Sequence, residues 1–220
     1  MTKPATARGA DRRSLAQQAY EALRDRLIML DIRPGDPVNE AALAAELGVG
    51  RTPVREALKR LAADHLVVSY PRRGTFAAAV DITDLAAIAE VREHLEPLAA
   101  RRAAENPDPE VAAEARRLID DLSALADEED RRTLLAADLR IHRFIYRSTG
   151  NRHLADTLVR LDDLATRIWS LVLDRLPHLS GHVHEHAELL GAIAEGDGEG
   201  AARIARQHVR SFERRVRDSL

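Results

Sequence analysis

Between Leu47 and Leu58 the chain reads Leu-Gly-Val-Gly-Arg-Thr-Pro-Val-Arg-Glu-Ala-Leu, a glycine turn running into a helix with two chemically opposite faces. With a helix start at about Gly50, Val54, Ala57, Leu58 and Leu61 recur at i, i+3, i+4 and i+7 and make one buried stripe. Arg51, Arg55 and Lys59 recur at i, i+4 and i+8 on another face. Gly50 can serve as the N-cap, and Pro53 fits the first turn because its missing N–H would find no intrahelical partner there. The cations therefore sit at the N-terminal end, the end that reaches base edges in helix-turn-helix proteins. An ordinary surface helix with a solvated basic face has the same spacing, so the flanking segments decide.

Those segments follow the order of a winged helix. Upstream, Leu15 to Leu30 is an amphipathic helix with Leu15, Ala19, Leu23 and Leu27 on one side, closed by Arg33-Pro34-Gly35. Asn39 to Leu47 makes a short helix with Leu43 and Leu47 on one face, ended by Gly48. Downstream, Leu66–Tyr70 and Thr75–Ala78 are strand-like runs joined through Pro71-Arg72-Arg73-Gly74, which places two cations at a hairpin tip where a wing would touch DNA. The expected fold class is mainly α: a disordered tail over 1–13, a winged helix-turn-helix over 14–78, and an all-α antiparallel helical bundle over 81–220.

The N-terminal half resembles the DNA-binding domain of the GntR family of bacterial transcription regulators, in particular its FadR-like branch. Pro34-Gly35, Leu43-Ala44-x-x-Leu47-Gly48-Val49, the string Arg51-Thr52-Pro53-Val54-Arg55-Glu56-Ala57-Leu58, Leu61 and Arg73-Gly74 carry the resemblance, which runs from Leu15 to Phe76 without a gap. Two positions depart from the family pattern: Gly50 stands where Ser is usual, and His65 where Gly is usual. The first removes a capping hydroxyl; the second strains the helix end if that position needs a positive φ.

Composition sets further bounds. The net charge of −3 divides into +4 over residues 1–76 and −7 over the rest, so the basic excess lies in the half that would meet DNA. There is no cysteine, which rules out disulfides and thiolate zinc sites. No apolar run approaches membrane length and no signal-like segment opens the chain, so a cytoplasmic protein is expected.

From Asp81 onward helical segments are expected at about 81–105, 109–127, 131–148, 152–176, 181–195 and 198–217, separated by Pro, Gly and acidic breaks. Eight of the nine histidines lie after residue 90, and three of them fall into a metal-like pattern with one aspartate. Asp138 and His142 are i, i+4 on one helix. His186 and His208 each lie eleven residues from Asp197, the middle of a glycine turn, so a tight antiparallel hairpin puts them at one height, about 16 Å from the turn. Three imidazoles and a carboxylate suit Zn first, with Ni, Mn or Fe as alternatives, and leave room for an exogenous ligand. Eight histidines also offer accidental pairs, and a helical histidine is commonly a surface or packing residue. His182, one turn before His186, is a rival ligand, whereas His184 points elsewhere; His94, His153 and His178 read as surface or packing residues, and Trp169 and Phe144 as core.

This half resembles the FCD domain that accompanies the GntR winged helix, through Asp138-x-x-x-His142, His186-x-x-Leu-Leu-x-Ala-Ile193, Gly196-Asp197, Ala201–Ala205 and Gln207-His208. The resemblance implies that Asp138, His142, His186 and His208 are the metal ligands. Six helices match the VanR-like subset; seven would match the FadR subset. Arg92 matches a position where the family often has an arginine near the effector, where it would clamp a carboxylate, but an i, i+4 ion pair with Glu96 is equally compatible with the sequence.

Together these features describe a homodimeric regulator that binds an inverted-repeat double-stranded DNA operator and responds to a small carboxylate effector; that it is a repressor is what the family resemblance implies. Arg51 and Arg55 would contact base edges, Thr52 and Lys59 phosphate, and Arg72, Arg73 and Gly74 would form the wing. The alternative is a metal-dependent hydrolase or lyase built on the same Asp/His cluster, with Glu185 or Glu188 as base; no nucleophile or phosphate loop accompanies it.

Overall fold

A computed structural model describes residues 14–125, 130–172 and 179–219, with the side chains of 131, 179 and 180 left aside. Residues 1–13, expected as a tail, lie outside the described residues, as does His178. The chain divides into two compact units, one ending at Ala79 and the other beginning at Val80.

In the first unit α1 (Leu15–Ile28) starts where the Ser14 side chain accepts the Gln17 N–H at 3.1 Å. Asn39 caps α2 (Glu40–Glu46) in the same way, accepting from the Ala41 and Ala42 N–H groups. Gly48, at φ 64, then ends that helix: its own N–H and that of Val49 turn back to the carbonyls of Ala45 and Ala44. Gly50 begins α3 (Arg51–Ala63) in extended conformation with no side-chain cap, the consequence of lacking a hydroxyl there. Val54, Ala57, Leu58 and Leu61 are buried against Ala19, Leu23, Leu27 and Ile28. Leu15 departs from the expected α1 stripe and is 54% exposed, because it sits at the helix start beyond the reach of α3.

At the end of α3, His65 has φ 62, and the N–H groups of His65 and Leu66 return to the carbonyls of Ala62 and Leu61. That is the helix stop in which glycine is favoured, so His65 carries the strain its position implied. The wing is a hairpin of β2 (Val67–Tyr70) and β3 (Gly74–Ala77) in which Val67 pairs with Ala77 and Tyr70 with Gly74. Sequence patterning did not anticipate β1 (Pro37–Val38), which pairs with β3 on its other edge and closes a three-stranded sheet of order β1-β3-β2. Two residues are too short to show alternation, and β1 exists only because β3 offers it an edge.

The second unit is helical throughout its described residues: α4 (Asp84–Ala104), α5 (Pro109–Ser123), α6 (Arg131–Arg147), α7 (Arg152–Val172), α8 (Leu179–His184), α9 (His186–Glu195) and α10 (Gly198–Asp218). The single helix expected at 181–195 is corrected to two, α8 and α9, broken at Glu185. Gly196, at φ 78, stops α9, and the Asp197 side chain accepts the Gly200 N–H at 2.8 Å to start α10. A tight hairpin results, and α10 packs along α4, which also packs against α7.

Candidate DNA interface and metal centre

On α3, Arg51, Thr52 and Lys59 are exposed, and Arg51 has no hydrogen-bond or ion-pair partner among the described residues. Arg55 is exposed but engaged: its Nε donates to Glu40 Oε2 of α2 at 2.7 Å. The two arginines are therefore not equivalent: Arg55 is paired with Glu40, and Arg51 is not paired among the described residues. At the wing tip the Arg73 N–H closes a turn onto the Tyr70 carbonyl at 3.1 Å. Arg72 holds φ 62 and Gly74 φ 99 there, and Arg72, Arg73 and Gly74 are all exposed. A charged residue thus occupies the left-handed turn position that glycine would adopt without strain.

In the helical unit α6 carries Asp138 and His142 on one face, α9 carries His186 and α10 carries His208, all four buried. One nitrogen or oxygen from each lies within 4.8 Å of the others. The rings of His186 and His208 come to 4.2 Å, and His142 Nε2 lies 3.2 Å from His186 Nε2. Two nitrogens bound at about 2.1 Å to one tetrahedral or octahedral ion stand about 3.0–3.4 Å apart, so this separation fits shared ligation. Asp138 Oδ1 is buried without a hydrogen-bond partner, an expensive state that a cation would relieve.

The far sides of the rings are held as metal ligands usually are. His186 Nδ1 lies 3.2 Å from the Val183 carbonyl, to which it can donate, leaving Nε2 free to ligate. His142 Nδ1 is 3.1 Å from the Tyr146 hydroxyl, which donates to Glu96 Oε1 at 2.6 Å. Burial opposes a charge on His142, but Asp162, Glu96 and Asp138 together raise its pKa to about 9. Burial pushes Asp138 up to about 6, while burial and the neighbouring imidazoles hold His208 down at about 4 and His186 well below the usual range. The carboxylates thus favour a positive charge beside His142, and three imidazoles cannot all carry it.

Arg92 adjoins this cluster through two carboxylates that also lie near His142. It is 4% exposed, donates to Glu96 Oε1 from Nε at 2.9 Å and from Nη2 at 2.7 Å, and reaches Asp162 Oδ1 at 3.0 Å. Of the two arrangements open in the sequence, the ion pair with Glu96 is present, together with a second one to Asp162. Two further partners, Tyr146 and Asp162, escaped the sequence reading. Tyr146 is i+4 from His142 and could have been noticed; Asp162 arrives from α7 and leaves no local signal. His182 is also buried in the cluster, its ring stacked on His208 at 4.4 Å and edge-on to Trp169 at 5.1 Å. Trp169 and Phe144 are core, His94 and His153 exposed.

A basic recognition helix with a wing, followed by a helical unit enclosing a polar cluster, defines a DNA-binding transcription regulator with a separate sensing domain. The chain belongs to the GntR family: residues 15–77 match "Bacterial regulatory proteins, gntR family" and residues 87–211 match the FCD domain. It is 30% identical over 208 residues to the "Probable D-xylose utilization operon transcriptional repressor" of Paenarthrobacter nicotinovorans, covering 94% of this chain and 91% of that one. It is 24% identical over 213 residues to the "HTH-type transcriptional repressor RspR" of Escherichia coli, covering 91% and 88%. The solved structure of "E. coli McbR/YncC" shares the fold, with a TM-score of 0.81, 24% identity and coverage of 94% and 98%. These likenesses exclude the hydrolase or lyase alternative: the protein is a regulator, not an enzyme. No helix among the described residues is long and apolar enough to cross a membrane.

Proposed function

We propose that this regulator is a cytoplasmic repressor that binds an inverted-repeat operator as a homodimer. A small carboxylate effector, held at a metal centre of Asp138, His142, His186 and His208, would release it. The observation that carries the reading is the buried convergence of those four side chains around Asp138 Oδ1, which has no hydrogen-bond partner. Zinc is the first choice, and nickel, manganese or iron also suit the donors. A bound ion would supply a Lewis-acidic anchor for a carboxylate in a water-poor site. Arg92 would take part by exchanging one of its two carboxylate partners, Glu96 or Asp162, for the effector's second carboxylate. Repression is supported by the regulators this chain resembles, three of which are described as repressors.

On the DNA side, Arg51 would read a base edge directly, Arg55 after leaving Glu40, with Thr52 and Lys59 on phosphate and Arg72, Arg73 and Gly74 at the wing. An effector acts only through a difference in affinity between the DNA-bound and released conformations. The test is a thermal-shift screen of metabolite carboxylates on zinc-loaded and chelator-stripped protein. Hits are then added to the protein on an operator selected in vitro from random duplexes. Stabilisation and operator release that both require metal are expected; release that survives chelation refutes the metal-dependent reading.

A further inference from the structure

α10 presents a face that neither the metal centre nor the packing of the helical unit uses. Arg203, Arg206, Arg210, Arg214 and Arg217 recur at spacings of three, four, four and three residues, and all five are exposed. At about 100° per residue they fall within an arc of about 80°, on the side of the helix away from the buried Ala205, Val209, Phe212 and Val216. Glu199, one turn before the row, and Asp218, just after it, mark its ends, and Glu199 is paired with Arg101 at 2.8 Å.

The row is cationic in a part of the chain that is not, since residues 77–220 carry a net charge of −7. Among the described residues two carboxylates are paired with it. Glu93 of α4 is paired with Arg210 and also feels Arg206, and Glu213 is paired with Arg217 at 3.0 Å. Five guanidinium groups against two carboxylates leave three positive charges in excess. Arg203 makes no ion pair among the described residues, and Arg214 donates to the Arg210 carbonyl at 3.4 Å, which leaves its charge uncompensated. Like charges three and four residues apart destabilise a helix, so the bare row lowers the stability of α10, and an anion laid along it removes that repulsion.

The chemistry of the row selects the anion. It is about 21 Å long, the axial rise of about six phosphates on one strand of a duplex. It holds no aromatic side chain on which an unpaired base could stack, which single-stranded nucleic acid uses for tight binding. Nor does it hold an apolar anchor of the kind that fixes a protein partner. Guanidinium groups match phosphate oxygens in fork geometry, and the regular backbone of a duplex asks for nothing more. We propose that the outer face of α10 is a second, sequence-independent DNA-binding surface, which takes the phosphate backbone of double-stranded DNA in addition to the contacts of α3. It contributes affinity and salt dependence and no base discrimination. The inference takes DNA binding from the family and holds whether or not the Asp138 cluster binds a metal.

The test is fluorescence anisotropy of the full chain on a duplex of random sequence over a range of salt concentrations. Arg203→Gln/Arg206→Gln/Arg214→Gln leaves the pairs of Arg210 and Arg217 in place. It should lower the slope of log affinity against log salt by about 2–3, since each lost phosphate contact removes about 0.9, and affinity at fixed low salt should fall about tenfold or more. A control, Arg147→Gln/Arg152→Gln/Arg160→Gln, removes the same charge from exposed positions of α6 and α7 and should leave the slope near that of wild type. The melting temperature of the α10 variant should hold or rise, because exposed like charges have been removed. The preference for a selected operator over the random duplex should also hold. Equal slopes for wild type and the α10 variant overturn the proposal, because the row then touches no phosphate. An equal fall in both triple variants overturns it as well, because net charge alone then sets the affinity. So does an α10 variant that keeps its duplex slope but loses retention on polyglutamate, which assigns the row to an acidic protein. A wild type that binds no duplex at all refutes DNA binding itself and this surface with it.

Discussion

Glu40→Gln should tighten operator binding, because the wild-type carboxylate holds Arg55 away from DNA. The pair spans α2 and α3 at 2.7 Å, with side chains 59% and 30% exposed, so it is an exposed ion pair worth about 0.2–1 kcal/mol. That is a factor of about 1.4–5 per half-site, and about 2–25 for a dimer on both half-sites. Arg51→Ala loses a base contact of about 1–3 kcal/mol outright, whereas Arg55→Ala loses the same less what its exchange costs, so Arg51→Ala should be the more damaging. Fluorescence anisotropy on a selected operator, at fixed salt, measures all three. Removing a negative charge near phosphate could tighten binding without Arg55, and a double-mutant cycle separates the two effects. If Glu40→Gln keeps its full gain in an Arg55→Ala background, the competition argument is wrong. If it weakens binding at unchanged melting temperature, Glu40 orients Arg55 for the groove and the sign of the argument is reversed.

Four other outcomes follow from the same geometry. His65→Gly should stabilise the winged helix by about 0.5–1 kcal/mol by relieving a left-handed histidine, visible as a rise of several degrees in its melting midpoint; a fall would show that His65 makes a compensating contact. Chelation should lower the melting temperature of the helical unit and leave the winged helix unchanged, because only the former gains binding energy from the ion. His142→Ala should reduce metal per chain by elemental analysis, and full occupancy would remove it from the ligand set. Metal affinity should rise with pH: at pH 7 an ion must displace the proton that His142 holds up to about 9, so affinity climbs about tenfold per unit toward that value. Below about 6 Asp138 also takes a proton and the dependence steepens; proton release measured calorimetrically in two buffers checks both limbs.

What sequence alone determined here is local or periodic. The Arg51–Arg55 face, the glycine stops at Gly48 and Gly196, the wing and the equal height of His186 and His208 all follow from fixed helical rise and from turn chemistry. Even the discomfort of His65 could be read from a residue type at a helix end. Only the tertiary structure decided which charges meet. Glu40 reaches Arg55 from another helix, and Asp162 reaches Arg92 across 70 residues. The break at Glu185 sets His182 against His208, and β1 forms on an edge supplied by β3. Such contacts leave no period in the chain, because packing of distant elements, and not the rise or turn of any one of them, brings the partners together.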